Sequence, residues 1–212
     1  VRNLVAEDPR RGRALLGRAR ARYKLQRIND AIVDLDAAIA IALAHADVQL
    51  EIEALLEKAT ALDWAEDFAG SATAAQRAKE LVAVHPSDSL GVEADLALGR
   101  SAWRAREFDR AGELLASVAE RAPKYGLHDA EIIANLLSAT LKVDVGSFGE
   151  AAALFEKLIP LFIARGLKVS RIARGLVNEL YLDDLRHKTH RGLAGQFERG
   201  FSAGGRCYGY GT

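Results

Sequence analysis

The chain has 212 residues, 29 Lys and Arg against 29 Asp and Glu, and 50% hydrophobic residues, a globular balance that excludes wholesale disorder. Its one cysteine, Cys207, excludes an internal disulfide framework and a cysteine-based zinc cluster. No run reaches the ~18 uninterrupted apolar residues of a membrane span, and Val1 to Arg22 mixes apolar groups with arginines instead of forming a signal-peptide core, so a cytoplasmic protein with no membrane partner is expected.

There is no methionine, which predicts an excised, processed or partial product, and the four prolines leave long stretches free for helices. The zero net charge hides blocks. Val1–Asp30 carries nine basic residues against Glu7, Asp8 and Asp30, whereas Ala31–Arg100 carries thirteen acidic residues against four basic ones. From Lys168 onward the balance is basic again, eight against four. Such blocks either solvate helix faces, the reading preferred on sequence, or steer partners or pair repeats with each other.

In chain order, Asn3-Leu4-Val5-Ala6-Glu7-Asp8-Pro9 resembles the later stretch Glu80-Leu81-Val82-Ala83-Val84-His85-Pro86, so 1–11 reads as the end of a preceding repeat or a linker. Next, Leu15, Leu16, Ala19 and Tyr23 recur at helical spacing within Ala14–Leu25. A polar break at Gln26-Arg27 follows, and Ala31, Leu35, Ala38 and Ala42 then mark one face of a second helix. This pair recurs when the chain is shifted by 40 residues. Leu16, Leu56, Leu96 and Leu136 align, then the small Ala19, Ala59, Gly99 and Ala139, then the large Ile28, Phe68, Phe108 and Phe148. Ala31, Ser71, Ala111 and Ala151 are small again; Leu35, Ala75, Leu115 and Phe155, and Ala38, Ala78, Val118 and Leu158, complete the columns. Small residues at matched places let two backbones approach, and one pair cannot bury its apolar side alone, so pairs must stack. Four helical hairpins are expected at 12–49, 50–91, 92–129 and 130–167.

Leu98-Gly99, Trp103, Phe108, Asp109, Ala111, Leu115 and Pro123 stand at the offsets of the tetratricopeptide repeat, which the chain resembles over about residues 12–166. Ala139, Gly146, Phe148, Ala151 and Phe155 look alike in the next copy. The period exceeds the family's usual ~34 residues, as in its longer variants, and the extra residues are expected at Ala44–Gln49, Pro86–Gly91 and Lys124–Asp129, which carry loop signals. The resemblance implies an all-α, right-handed superhelical solenoid of antiparallel helix pairs. It also implies a concave groove lined by the first helix of each pair. Carried over, the groove positions are Arg13, Leu16, Arg20, Tyr23 and Lys24; Glu53, Leu56, Thr60, Asp63 and Trp64; Glu93, Leu96, Arg100, Trp103 and Arg104; and Ile133, Leu136, Thr140, Val143 and Asp144. Of these, Arg20, Tyr23, Lys24, Asp63, Trp64, Arg100, Trp103, Arg104 and Thr140 are the candidate peptide contacts. Aromatic residues beside arginines are common interface anchors, and arginine grips carboxylates in two-pronged fashion. The Lys/Asn pattern of the chaperone-tail clamp is missing, so a C-terminal carboxylate is not implied.

Past the fourth pair, Leu176 with Ile172, Ala173, Val177 and Leu180 predicts a closing helix at 168–190, or the first half of a truncated fifth repeat. The seven glycines of Gly192–Thr212 read as a flexible tail over 191–212. Asp183, His187 and His190 share a helical face with metal-ligand spacing, yet exposed polar residues running into the tail account for them better. Cys207 has no paired histidine, and Gly209-Tyr210-Gly211 cannot open a helix under a phosphate. No cofactor, metal or enzymatic chemistry is expected. The arginines of the first helix scatter around its cylinder and the pI is neutral, so no nucleic-acid partner is expected. The function expected is a protein-interaction scaffold that binds a peptide or partner surface in the groove. The alternative is an accessory arm of a larger bacterial signalling protein, a Ser/Thr kinase or sensing ATPase, which packs on sister domains and self-associates through truncated ends.

Overall fold

The computed structural model describes residues 8–164. Among them it is all α: α1 (Pro9–Lys24), α2 (Ile28–Ala44), α3 (Val48–Trp64), α4 (Phe68–Val84), α5 (Asp88–Arg104), α6 (Phe108–Arg121), a 3-10 turn at Ala122–Tyr125, α7 (His128–Asp144) and α8 (Phe148–Ala164). The chain divides into two compact units, 1–138 and 139–212, with the boundary inside α7. The closing helix, the glycine-rich tail, His187, His190 and Cys207 lie outside the described residues, as do residues 1–7.

The extra length per repeat resides in the helices. The turns at 45–47 and 85–87 are three residues long, not extended linkers, and α2, α3, α4 and α5 each run 17 residues. Two such helices with two such turns account for the forty-residue period. At 124–129 the chain completes the 3-10 turn and enters α7. α1 begins at Pro9, inside the stretch read as a linker. Asp8 caps it by accepting the Arg10 N–H at 2.9 Å, and Pro9 needs no donor in the first turn. Asp47 and Asp67 do the same for α3 and α4, accepting from the Leu50 and Gly70 N–H groups at 3.0 and 2.9 Å.

The turns repeat every 20 residues. Gln26, Ala46, Glu66, Arg106, Gly126 and Gly146 all have positive φ, between 51° and 77°. In each case the next N–H donates back to the carbonyl five residues earlier, for example Arg27 to Arg22 and Glu107 to Ala102, both at 2.9 Å. This left-handed closure ends a helix by satisfying a terminal carbonyl. Pro86 occupies the seventh such place, where its ring holds φ negative, and the α4–α5 connection is extended at Ser87 instead.

In the first unit each helix packs on the next, α1 on α2 through to α5 on α6. α1 also meets α3, and α3 meets α5; among the described residues the even-numbered helices do not match these contacts, so the odd-numbered helices form the inner layer of this unit. The repeat columns supply much of the core, joined by Leu50, Ile52 and Val92 from outside them. Ala19, Ala59, Ala31, Ala111, Leu35, Ala75, Leu115, Ala38, Ala78 and Val118 are all fully buried. Gly99 sits where a Cβ would come within 3.1 Å of Leu115 Cδ2, so the small column sets the helix spacing. Ser71 fits its small position by donating a buried 2.7 Å hydrogen bond to the Ala59 carbonyl. Ile28, Phe68, Phe108 and Phe148 each open the second helix of a pair, and Phe68 is 40% exposed, so this column covers the hairpin end without entering the core. In the second unit Ala139, Ala151, Phe155 and Leu158 are buried, and Lys142 pairs with Glu150 at 2.7 Å across the turn that joins α7 to α8.

The charge blocks pair between helices, against the preferred reading of solvated faces. Arg18 holds the buried Asp34 through Nε and Nη2 at 2.7 and 2.6 Å, and Arg22 adds a contact at 2.6 Å. Arg20 reaches Glu57 of α3, and Arg13 reaches Asp47. Asp95 of α5 is shared by Lys79 of α4 and Arg121 of α6. Four basic residues of the first helix, Arg13, Arg18, Arg20 and Arg22, are thus paired with carboxylates of α2, α3 and the turn between them.

Candidate functional site

The inner layer of the first unit holds a cavity of about 360 Å³ at the junction of α1, α3, α5 and the start of α7. Arg20, Tyr23 and Lys24 line it from α1; Leu56, Glu57 and Thr60 from α3; Glu93, Leu96, Ala97 and Arg100 from α5; Asp129, Ala130 and Ile133 from α7. Helical spacing brings them together. Leu56 and Thr60 lie one turn apart, as do Leu96 and Arg100, and the forty-residue register sets Thr60 beside Arg100. The walls are mixed: Leu56, Leu96, Ala97 and Ile133 are apolar, and three cations face three carboxylates.

Within it, Arg20 pairs with Glu57 through Nε at 2.7 Å. Arg100 donates from Nη2 to the Thr60 hydroxyl at 3.1 Å, and that hydroxyl donates on to the Leu56 carbonyl at 3.2 Å. The Arg100 side chain is only 12% exposed, and its Nε has no hydrogen-bond partner; the nearest carboxylate, Asp63, is 3.8 Å away. Burial, with the like charge of Arg104, pulls the Arg100 guanidinium below the ordinary arginine range, and Asp63 opposes the shift. Burial and the neighbouring Glu57 carboxylate push Glu93 up, with Arg20 opposing. Burial and Glu57 likewise raise the Tyr23 phenol.

Of the residues singled out from sequence, Arg20, Tyr23, Lys24 and Arg100 meet at this cavity. Trp64 is 53% exposed beside it and stacks at a tilt on Tyr23, ring centroids 6.4 Å apart. Asp63, Arg104 and Trp103 are brought together elsewhere on the same face, where they serve one another. Arg104 pairs with Asp63 through Nε and Nη2 at 3.0 and 3.2 Å, and its guanidinium lies over the Phe68 and Trp103 rings at 4.7 and 4.6 Å. Thr140 belongs to the second unit, where it is half-buried on α7. Sequence reasoning passed over Glu57, which stands one residue beyond Leu56 and outside the carried-over positions, together with Asp129 and Ala130. The opposite charge on Arg20, one repeat earlier, was the available signal for Glu57.

Among the described residues no three His, Cys, Asp or Glu side chains gather as a metal-ligand set, and no helix is long and apolar enough to cross a membrane. No family model matches the chain, and no curated protein matches it. Solved structures do. A crystal structure from Podosopora anserina, provisionally assigned as a kinesin light chain of nearly identical TPR-like repeats, is 16% identical, covers 91% of this chain and 95% of its own, and gives a TM-score of 0.63. A point variant of that same protein matches at the same identity and TM-score, covering 90% and 94%. At that identity the likeness concerns the fold alone. With the forty-residue hairpins and their buried small–large columns, it establishes that this chain has a tetratricopeptide-like repeat fold.

Proposed function

We propose that the chain is a protein-interaction scaffold that binds a peptide or partner surface on the inner layer, without covalent chemistry. One observation carries this reading: four successive repeats each send side chains from the first helix into a single cavity that mixes apolar walls with charged groups. A concave pocket that sets oriented charged and polar groups beside apolar walls suits a ligand with both kinds of group. The half-exposed Tyr23 and Trp64 rings supply rigid aromatic area at its edge, and repeat arrays with this inner layer present extended binding faces.

The test is selection of peptides from a displayed random library on the full chain, followed by binding to variants. Selected peptides should change Trp64 fluorescence and lose at least tenfold in affinity on Arg100→Glu and on Tyr23→Ala, with both variants still helical by circular dichroism. Selected peptides that bind both variants as tightly as the parent chain would place the interface elsewhere and remove the proposal.

A further inference from the structure

We propose that the ligand of this cavity is a charge-paired segment, an acidic and a basic side chain three residues apart in polyproline II conformation with apolar residues between them. This inference rests on the groove reading above and specifies its partner. It comes from a tally of which charges in the cavity are already matched. Arg20 is used by Glu57, and Arg104 of the adjoining site is used by Asp63. Two groups on α5 are left under-served. Arg100 is buried with its Nε unpartnered and its nearest carboxylate already held by Arg104. Glu93 lines the same cavity and, among the described residues, makes no ion pair or hydrogen bond, feeling Arg20 only at a distance.

Glu93 and Arg100 lie seven residues apart on one helix, two turns on the same face, hence about 10 Å along the axis. A polyproline II segment rises about 3.1 Å per residue with three residues per turn, so side chains three residues apart lie on one face and span about 9 Å. Between them the cavity offers Leu96 and Ala97 of α5 and Leu56 of α3, which suit one or two apolar side chains. A purely acidic ligand would meet Glu57, Glu93 and Asp129, and a purely basic one would meet Arg20, Lys24 and Arg100; each leaves one charge of the cavity facing its like. Leaving a buried charge unpaired is the costly case, so the mixed ligand is selected against both.

The probes are capped hexapeptides Ser-X-Leu-Leu-Z-Ser with X and Z set to Glu and Lys, Lys and Glu, Glu and Glu, Lys and Lys, or Gln and Gln, titrated into the full chain by calorimetry. One of the two mixed peptides should bind at least tenfold more tightly than either like-charged peptide. Glu93→Gln should remove the advantage of that mixed peptide over the Glu and Glu peptide while keeping its advantage over the Lys and Lys peptide, and Arg100→Gln should do the reverse. A like-charged peptide that binds as tightly as the mixed one overturns the charge-paired ligand and leaves the groove reading standing. If all five peptides fail to bind, the neutral one included, both readings fall. The unmodified chain alone decides between these outcomes, so the result does not depend on either variant folding.

Discussion

Asp63 and Arg104 bind each other in a two-pronged pair that ties α3 to α5, 3.0 Å from Nε to one carboxylate oxygen and 3.2 Å from Nη2 to the other. Both residues occupy places where groove ligands were expected, yet neither is left over for a ligand. Asp63 is 8% exposed and gives its two-pronged pair to Arg104, while Arg100 reaches it only through a long contact at 3.8 Å.

That asymmetry predicts unequal costs. Asp63→Ala leaves two guanidiniums facing each other, one of them buried, and should destabilise the chain by about 3 kcal/mol. Arg104→Ala leaves Asp63 with Arg100 still beside it and should cost roughly half as much. Urea denaturation of both variants measures the difference. Equal losses would mean that Arg100 draws nothing from Asp63.

The small column predicts opposite signs at two glycines. An added methyl at Gly99 would press on Leu115 at 3.1 Å, and Leu115 is fully buried with no room to retreat. Overpacking of this kind costs about 1–3 kcal/mol, more than the ~1 kcal/mol that alanine gains over glycine in a helix. Gly112, on α6, has nothing within 4 Å of its added Cβ. Gly99→Ala should therefore lower the melting temperature and Gly112→Ala should raise it, as read by thermal unfolding followed by circular dichroism.

The left-handed turns give a third test. Ala46 holds φ of 51° with no side chain that gains from it, and a non-glycine residue there costs about 1 kcal/mol or more. Ala46→Gly should stabilise by roughly that amount, reduced by the extra freedom of glycine in the unfolded chain. No change in the denaturation midpoint would show that this turn carries no backbone strain.

These turns also show what the sequence displays and what it hides. The small and large columns are visible because burial dictates residue size, and most of their members are core or hairpin end in the structure. The twenty-residue turn period is not visible, because its left-handed places are filled by Gln26, Ala46, Glu66, Arg106, Gly126 and Gly146 and the remaining place by Pro86, with no residue type in common. Backbone closure from the following N–H, not side-chain identity, holds the shape at six of them. For the same reason the polar stretches around 44–49 and 86–91 look like the home of the extra residues, although those residues lengthen the helices. The site was half legible. Register placed Arg20, Tyr23, Lys24 and Arg100 on one face, but which cations are already matched depends on contacts from α1 to α3 and α3 to α5 that no single helix pattern reveals. Asp63 and Trp64 are adjacent in sequence, yet one is buried in an ion pair and the other lies half-exposed on Tyr23.

Glu93 supplies the pH test. Its carboxyl is held above the usual glutamate range by burial and by Glu57, with Glu53 adding in the same direction and Arg20 opposing; Asp129 of α7 lines the same cavity. A carboxyl raised in the folded state binds its proton more tightly there than in the unfolded chain, so the folded state retains more protons between the two values. The contribution of Glu93 to stability is accordingly present below the ordinary glutamate pKa and lost as pH rises through the raised folded value. Glu93→Gln removes that loss. It should raise the melting temperature by a few degrees at about pH 8 and change it little at about pH 4, where the parent carboxyl is already largely protonated in both states. A variant whose stabilisation is the same at both pH values would act through packing, and the electrostatic account of Glu93 would fail.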